Sequence, residues 1–334
     1  SACPGIDATK PEITGVIFSP GTGNTVKIGD SLRVTISASG GEEGLSANSL
    51  SINGKTIPNS SLEDISGGDY RFYYVISSGD TDRSDGSVIP FSFELKDGSG
   101  NVSASYTDGS VTANDCPGID ANNPEISAIE FFPSSTVQGI NDEIDVVITA
   151  GETDLKAASL TINDVTIPPG ALADSLDGRY GFTYTVSPGE TDIADSEAIP
   201  VDFVMEDAAG NLSEAFTTST AADCPGIDAN KPAISGVSFS PGSGTVVGID
   251  STIVITVTAA NLESDLTANT LAINSQPIAT GTVTNNGDGT YSFPYVVGEG
   301  DGDIADSSPV PVNIIMEDAA GNVSDAFTTS TASA

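Results

Sequence analysis

Residues 179–186 read Arg-Tyr-Gly-Phe-Thr-Tyr-Thr-Val, with a large apolar side chain at every second position. Successive side chains of a β-strand point to opposite faces of the sheet, so a period of two places the apolar residues on one buried face. The segment therefore predicts a strand that packs against a second layer.

The sequence on either side of this segment continues the β pattern. Further strands are predicted at Glu125–Phe132, Glu143–Thr149, Ser159–Asn163, Val165–Ile167, Ile199–Glu206 and Leu212–Thr218. Asn163-Asp164 forms the turn of a hairpin, and its counterpart Asn53-Gly54 is the strongest two-residue hairpin signal. Pro200 belongs at a strand start or bulge, because proline cannot donate a ladder hydrogen bond. Seven short strands without a helical period indicate a β-sandwich.

The whole unit occurs three times. Cys-Pro-Gly-Ile-Asp begins at Cys3, Cys116 and Cys224, and Asp-x-x-Gly-Asn begins at Asp97, Asp207 and Asp318. The spacing of both motifs fits a complete sandwich domain and is too long for a solenoid repeat. The sequence predicts domains at residues 1–114, 115–222 and 223–334. We expect the chain to be a segment of a longer array, with a natural end at Ala334 as the alternative.

The composition excludes several classes of function. The chain has 47 acidic and 10 basic side chains, a net charge of −37, and no histidine. An acidic surface repels nucleic acids and anionic lipids. Without histidine, Ser-His-Asp and Cys-His catalysis and the usual zinc sites are excluded. Hydrophobic residues make up 38% of the chain and charged residues 17%, so the chain can form ordinary cores.

Three further motifs characterise the units: Gly-Asp-Gly-Thr-Tyr at 287–291, Gly-Glu-Thr-Asp at 189–192 and Glu-Asp-Ala-Ala-Gly-Asn at 206–211. These motifs resemble those of tandem bacterial immunoglobulin-like domains, and the resemblance covers all three units. It implies an all-β protein of three tandem seven-stranded immunoglobulin-like β-sandwiches in an extended array, as in large extracellular adhesins. The linker at 115–124 also resembles cadherin linkers, which bind calcium. The cysteine in each linker departs from both patterns.

The strand directions bring acidic loops together at each domain junction. An [Asp/Glu]-x-Asp-x-x-Asp cluster precedes each Asp-x-x-Gly-Asn motif at a constant spacing, at the end of the domain nearest the next linker. Two loops of the following domain approach from the other side. The candidate ligands at the first junction are Asp80, Asp82, Asp85, Asp115, Asp120, Glu152, Asp154, Asp207 and Asn211. At the second junction they are Glu190, Asp192, Asp195, Asp223, Asp228, Glu263, Asp265, Asp318 and Asn322. Asp301, Asp303 and Asp306 form the cluster of the third unit.

So many carboxylates at one junction would repel one another unless a cation neutralised them. Hard oxygen ligands suit Ca²⁺ at six to eight coordination, and Mg²⁺ less well because it demands tight octahedral geometry. The alternative is that Asp and Gly simply favour solvated turns. Carboxylate pairs could also act in glycoside hydrolysis, but the loops lack aromatic residues for stacking and the chain has no tryptophan. We expect no enzymatic activity.

The three cysteines occupy equivalent positions in successive units. A sandwich of ~7-residue strands is over ~20 Å long, whereas a disulfide needs Cα atoms within ~7 Å. Intrachain disulfides between units are therefore excluded in an extended array. Buried thiols, bonds to identical chains and attachment points remain open.

The sequence thus predicts a structural extender of an extracellular, cell-surface adhesin or fibre, with Ca²⁺ fixing the junctions. Its partners would be neighbouring repeats of the array, with neither nucleic acid binding nor membrane insertion. A self-assembling subunit of an extracellular filament or surface layer is the first alternative. A module that binds a glycan or protein through its tip loops is the second.

Overall fold

A computed structural model describes residues 3–110, 115–217, 219 and 224–329, which form three β-sandwiches joined in tandem. The strands of the first domain are β1 (Ile13–Ser19), β2 (Thr25–Lys27), β3 (Ser31–Ala38), β4 (Ser46–Ile52), β5 (Lys55–Thr56), β6 (Glu63–Asp64), β7 (Asp69–Val75), β8 (Phe91–Lys96), β9 (Tyr106–Thr107) and β10 (Gly118–Asp120).

The strands of the second domain are β11 (Ile126–Phe132), β12 (Val137–Gln138), β13 (Glu143–Ala150), β14 (Lys156–Ile162), β15 (Val165–Thr166), β16 (Ala173–Asp174), β17 (Arg179–Thr185), β18 (Val201–Glu206) and β19 (Gly226–Ile227). Those of the third are β20 (Ile234–Ser240), β21 (Thr252–Ala259), β22 (Thr267–Ile273), β23 (Gln276–Pro277), β24 (Thr284–Asn285), β25 (Thr290–Val296) and β26 (Val312–Glu317). Single 3₁₀ turns lie at Ser39–Gly41, Asn59–Ser61, Asp108–Ser110, Pro169–Ala171, Ala260–Leu262 and Thr280–Thr282.

Each sandwich has the two-sheet order of an immunoglobulin domain. One sheet runs β1-β3-β7-β6 in the first domain and β11-β13-β17-β16 in the second, and the facing sheet contains β5-β4-β8 and β15-β14-β18. The third domain repeats both sheets as β20-β21-β25-β24 and β23-β22-β26. These orders correspond to strands ABED and C′CF, with antiparallel neighbours throughout. The predicted all-β fold of three tandem sandwiches is confirmed.

The alternating segment that predicts the fold lies in the centre of its sheet. β17 pairs with β13 along its whole length, and its side chains alternate between buried and partly or fully exposed positions. Tyr180 and Tyr184 are each 1% exposed and belong to the core of the second domain. Burial of apolar side chains from both sheets is the main stabilising contribution to each domain.

The structure differs most from the prediction at Leu212–Thr218, the predicted final strand of the second domain. Leu212 and Phe216 form only isolated bridges, to Glu206 and Phe203, and Thr218 lies outside the described residues.

Pro200 directly precedes β18, and its carbonyl accepts a hydrogen bond from the amide of Asn163 at 2.8 Å.

The Cys-Pro-Gly-Ile-Asp segment completes the domain that precedes it. β10 pairs in parallel with β2, and β19 pairs in parallel with β12. Cys116, Ile119 and Ala121 belong to the core of the first domain, whereas the second core begins at Ile126. The first boundary therefore lies between Ala121 and Ile126, and not at 114/115 as the repeat suggested. The second shifts in the same way, because Cys224, Ile227 and Ala229 belong to the second core.

Only the short stretch 122–125 separates the first two cores. In the described part of the chain, no helix is long and apolar enough to cross a membrane.

Candidate cation-binding seam between the domains

A buried asparagine connects the first two domains. Asn211 lies in the Asp-x-x-Gly-Asn turn of the second domain and is 3% exposed. Its Oδ1 accepts a hydrogen bond from the amide of Ile28 at 3.0 Å, and its Nδ2 donates to the carbonyl of Asp120 at 3.3 Å. Asp207 orients the side chain by accepting from Nδ2 at 2.9 Å and from the Asn211 amide at 2.8 Å. One side chain therefore bonds to two parts of the preceding domain.

The second junction repeats this arrangement. Asn322, which is 4% exposed, accepts from the amide of Ile140 at 2.6 Å and donates to the carbonyl of Asp228 at 3.1 Å. Asp318 holds Asn322 as Asp207 holds Asn211. We call each junction a seam, defined by this asparagine and by the four carboxylates described next.

Four carboxylates from the two domains interact at the first seam. Asp82, from the acidic cluster, and Asp120, at the end of β10, belong to the first domain, and Glu152 and Asp207 lie in two loops of the second domain. Burial, then Asp207 and then Asp82, raise the pKa of Asp120. Burial and the same neighbouring charges, together with Asp120, raise the pKa of Glu152. The folded seam thus disfavours its own negative charge.

The second seam has the equivalent four carboxylates, Asp192, Asp228, Glu263 and Asp318. Burial, then Asp318 and Asp192, raise the pKa of Asp228. Burial, then Asp318 and Asp228, raise the pKa of Glu263. The same repulsion therefore occurs at two places that lie one repeat apart in the sequence.

The middle carboxylate of each acidic cluster also fixes the linker. Asp82 accepts hydrogen bonds from the amide of Ala121, at 2.8 Å, and from the side chain of Asn122. Asp192 accepts the same pair of bonds from Ala229 and Asn230. Asp303, at the equivalent position in the third domain, is exposed.

The first carboxylate of each cluster turns into its own domain. Asp80 is 4% exposed, accepts a hydrogen bond from the Tyr74 hydroxyl at 2.7 Å and forms an ion pair with Lys55 at 2.7 Å. Burial opposes ionisation of Asp80, but Lys55 and Tyr74 outweigh it, so the pKa of Asp80 lies below its usual value. Burial and Asp80 raise the pKa of Tyr74 to about 12. Glu190 and Asp301 accept from the equivalent tyrosines.

The third carboxylate of each cluster caps a loop of its own domain. Asp85 accepts from the amide of Gly23 at 2.9 Å, Asp195 from that of Thr136 at 3.2 Å, and Asp306 from that of Gly244 at 2.8 Å. The structure therefore sends the three carboxylates of a cluster in three directions, and only the middle one reaches the seam.

The remaining candidates lie apart from the four-carboxylate groups or outside the described residues. Asp154 and Asp265 are exposed and have positive φ angles of 63° and 67°. Asp115 is exposed beside Cys116, and burial and, after it, the Asp115 charge raise the pKa of that thiol. Asp223 lies outside the described residues.

Each seam contains carboxylate and amide oxygens, which are the type of ligand that hard cations such as Ca²⁺ prefer. Asp82 and Asp207 already accept protein hydrogen bonds, whereas the Glu152 side chain has no hydrogen bond or ion pair with another described residue. As placed, no three Asp, Glu or Cys side chains among the described residues form a group that could hold a metal ion. Cation binding would thus require the carboxylates to turn toward one another, and a carboxylate oxygen that accepts one hydrogen bond keeps a second lone pair for a cation.

Sequence reasoning missed several groups that build the seam. Lys27 reaches across the first seam to the carbonyl of Gly210, and the amides of Ile28 and Ile140 donate to the seam asparagines. Asn122 and Asn230 directly follow the repeated Cys-Pro-Gly-Ile-Asp-Ala, so the repeat itself carried a signal for them. The backbone amides of Ile28 and Ile140 have no comparable signal in the sequence, because a backbone amide does not depend on the type of side chain.

The cysteines divide into two environments. Cys116 and Cys224 are buried thiols that form no disulfide, and burial raises the pKa of the Cys116 thiol. Cys3 is an exposed free thiol. Two of the three therefore serve as small core residues.

Comparison with known proteins gives structural neighbours only. No protein-family model and no curated protein matches the sequence. The chain is similar to a solved I-band fragment of titin at 9% identity and a TM-score of 0.38, over 97% of this chain and 99% of that one. It is also similar to the eight N-terminal immunoglobulin domains of the Down Syndrome Cell Adhesion Molecule, at 14% identity and a TM-score of 0.30, over 96% of this chain and 41% of that one.

Tandem immunoglobulin repeats of Dlar align at 14% identity and a TM-score of 0.18, over 67% of this chain and 99% of that one. At these scores the superpositions are loose, and the assignment of the fold rests on the strand order of the domains themselves.

Proposed function

We propose that the protein is a spacer that holds its domains in a fixed relative orientation. The observation that carries this proposal is the buried asparagine of each seam, which bonds to the preceding domain through both its oxygen and its nitrogen. The short linker at 122–125 limits the freedom that remains. The loops at the domain tips are engaged in these seams, which favours a structural role over ligand capture or catalysis.

We further propose that Ca²⁺ tightens the seams. The support is electrostatic: burial, and after it the neighbouring carboxylates, raise the pKa values of Asp120 and Glu152, and of Asp228 and Glu263. A divalent cation would remove this repulsion, and flexible all-oxygen sites favour Ca²⁺ over Mg²⁺. Extracellular modules bind Ca²⁺ at about 10⁻⁴–10⁻³ M, so an extracellular, cell-surface location, as in an adhesin stalk, is part of the proposal.

Small-angle scattering tests both parts. A rigid spacer gives a scattering curve that one extended conformation reproduces, and a flexible chain does not. Titration with Ca²⁺ should raise the melting temperature and narrow the range of conformations, and chelation should reverse both effects. Mg²⁺ at the same ionic strength is the control. An unchanged curve and melting temperature in Ca²⁺ would refute the cation while leaving the spacer intact.

A further inference from the structure

The third domain has an open apolar groove at the place where each of the first two domains holds a strand. The groove has a volume of about 470 Å³ and is lined by residues that include Phe239, Val246, Ile249, Tyr295 and Ile304. Val246 is 83% exposed and Ile249 is 61% exposed. Residues 246–248 correspond to β2 of the first domain but form no strand, since no described segment pairs with them.

The Cys-Pro-Gly-Ile-Asp-Ala segment fills this place in the first domain. Ile119 and Arg83 exchange two backbone hydrogen bonds of 2.8 Å. The carbonyls of Cys116 and Ala121 accept from the amides of Gly86, at 3.1 Å, and Gly79, at 2.9 Å. Together with the parallel pairing of β10 and β2, these bonds hold the segment between two edges.

The second domain holds its segment in the same way. Ile227 and Ile193 exchange bonds of 2.7 and 2.8 Å, and the carbonyls of Cys224 and Ala229 accept from Ser196 and Gly189. The corresponding backbone groups of the third domain, one repeat further along the chain, belong to Gly300, Ile304 and Ser307. None of these three makes such a bond to another described residue.

A third copy of the segment lies at the opposite end of the chain. Cys3–Ala8 is identical in sequence to residues 116–121 and 224–229. Ile6 is 93% exposed, whereas Ile119 and Ile227 are each 1% exposed. The described chain therefore has one exposed copy of the segment, Cys3–Ala8, whereas the first two domains bury theirs. It also has one open groove, in the third domain, at the place where the first two domains hold the segment.

The exposed copy makes the same hydrogen bond to the domain that follows it as the buried copies make at the seams. Asn101, in the Asp-x-x-Gly-Asn turn of the first domain, donates to the carbonyl of Asp7 at 3.3 Å. Asn211 donates to the carbonyl of Asp120 at the same distance. The face that would meet a preceding domain is thus formed before any partner binds.

We propose that the groove of the third domain binds the Cys3–Ala8 segment of a second copy of this chain. Residues Gly5–Asp7 would pair in parallel with residues 246–248, Ile6 would enter the apolar groove, and Cys3 would become a buried thiol. Addition of a strand to an exposed sheet edge is a general mode of recognition. Because donor and acceptor are different surfaces of one chain, copies join head to tail, and an interface of this kind generates a filament unless it closes into a ring.

Gly5 gives the sharpest test of this proposal. A Cβ added at Gly118 would lie 2.8 Å from Thr25 Oγ1 and 3.2 Å from the amide nitrogen of Asp85, and one added at Gly226 would lie 2.8 Å from the amide nitrogen of Asp195. A Cβ added at Gly5 meets nothing within 4 Å. Gly5→Ala should leave the single chain unperturbed and clash only inside a partner's groove.

The experiment is sedimentation equilibrium of the whole chain over a wide concentration range. We expect the average mass of the wild type to rise from 33.7 kDa to multiples of it. Gly5→Ala and Ile6→Asp should remain at the monomer mass with unchanged melting temperatures. Gly15→Ala is the matched control, since a Cβ there also meets nothing within 4 Å, and it should associate as the wild type does.

The acetylated peptide Cys-Pro-Gly-Ile-Asp-Ala-Asn is the second probe, with its Gly→Ala analogue as control. It should bind the wild type and inhibit association, and the analogue should do neither. Association that persists in Gly5→Ala would overturn the proposal, as would a wild type that remains monomeric. A monomeric chain that still binds the peptide would assign the groove to a segment that follows residue 334 in the same chain.

Discussion

Replacement of Asn211 by alanine should loosen the first seam while leaving the folds of the two domains intact. The substitution removes the acceptor of the Ile28 amide and the donor to the carbonyl of Asp120, which lie at 3.0 and 3.3 Å. It also removes the bond to Asp207 within the second domain. The backbone amide of residue 211 can still donate to Asp207, so the turn itself should persist.

The size of the effect follows from these bonds. Each intramolecular hydrogen bond contributes about 1 kcal/mol net, so the two bonds between domains contribute about 2 kcal/mol to docking. Since about 1.4 kcal/mol corresponds to a tenfold change, the docked arrangement should weaken about 30-fold. Loss of the bond to Asp207 should cost the second domain about 1 kcal/mol, or about 4–8 °C in melting temperature.

Scattering and calorimetry measure the two effects separately. The variant should show a broader distribution of particle lengths at the first seam, together with a modest fall in one melting transition. Asn101→Ala is the matched control. Asn101 makes the equivalent bonds to Asp97 and Asp7, but no described domain precedes it. Its loss should lower the melting temperature of the first domain and leave the scattering curve unchanged.

A scattering curve for Asn211→Ala that equals that of Asn101→Ala would refute the reasoning. It would show that the short linker alone determines the domain orientation. A collapse of the second domain, with no native melting transition, would show instead that the turn depends on the side chain.

Three further outcomes follow from the described contacts. Because the pKa values of Asp120 and Glu152 are raised in the folded state, acidification from neutral pH through those values should raise the melting temperature, until the pH falls below the unfolded values. Saturating Ca²⁺ should remove this pH dependence of the melting temperature. A melting temperature that only falls on acidification in the absence of Ca²⁺ would contradict the prediction. Native protein should react with a thiol reagent at Cys3 alone, and the two buried cysteines only on denaturation, as mass spectrometry of the labelled peptides would show. Tyr74→Phe should destabilise the first domain by about 1–3 kcal/mol, since Asp80 loses a buried donor, whereas denaturant unfolding of the control Tyr73→Phe, at a site 45% exposed, should match the wild type.

The strands were predictable because their signals are local. Alternation across residues 179–186 corresponds to β17, and Asn163 and Asp164 both adopt the positive φ angles, 47° and 63°, that such a two-residue hairpin turn requires. Pro200 lies directly before its strand, where its missing amide costs no ladder bond. Each of these features depends on neighbours within a few residues.

The boundaries were not predictable in the same way. A repeated sequence has no intrinsic starting point, so its period fits any choice of first residue. The pairing of β10 with β2 joins, in parallel, residues that lie almost a whole repeat apart, and no local turn signal marks such a pair. The pairing with β2 and the core contacts of Cys116 and Ile119 assign the segment to the preceding domain.

The seam was predictable in outline only. Alternating strand directions predicted Asp82, Asp120 and Asp207 at one junction, where burial and then the charges of Asp207 and Asp82 raise the pKa of Asp120. The directions of individual side chains were not deducible, because the loop of Asp80 and Asp85 is irregular. Asp80 accepts a hydrogen bond from a tyrosine hydroxyl and Asp85 accepts one from a backbone amide. The spacing of residues in the sequence does not reveal either partner.

The position of the Cys-Pro-Gly-Ile-Asp-Ala segment also bears on the synthesis of the chain. The first domain lacks its β10 strand, and the side chains of Cys116 and Ile119, until the ribosome has made the start of the next repeat. Nascent chains grow at about 5–20 residues per second, so each domain spends a short interval with an open edge before its last strand emerges. In the first two domains the strand that closes the sandwich is made with the start of the next repeat, so closure of each of these two sandwiches is timed to the synthesis of its successor.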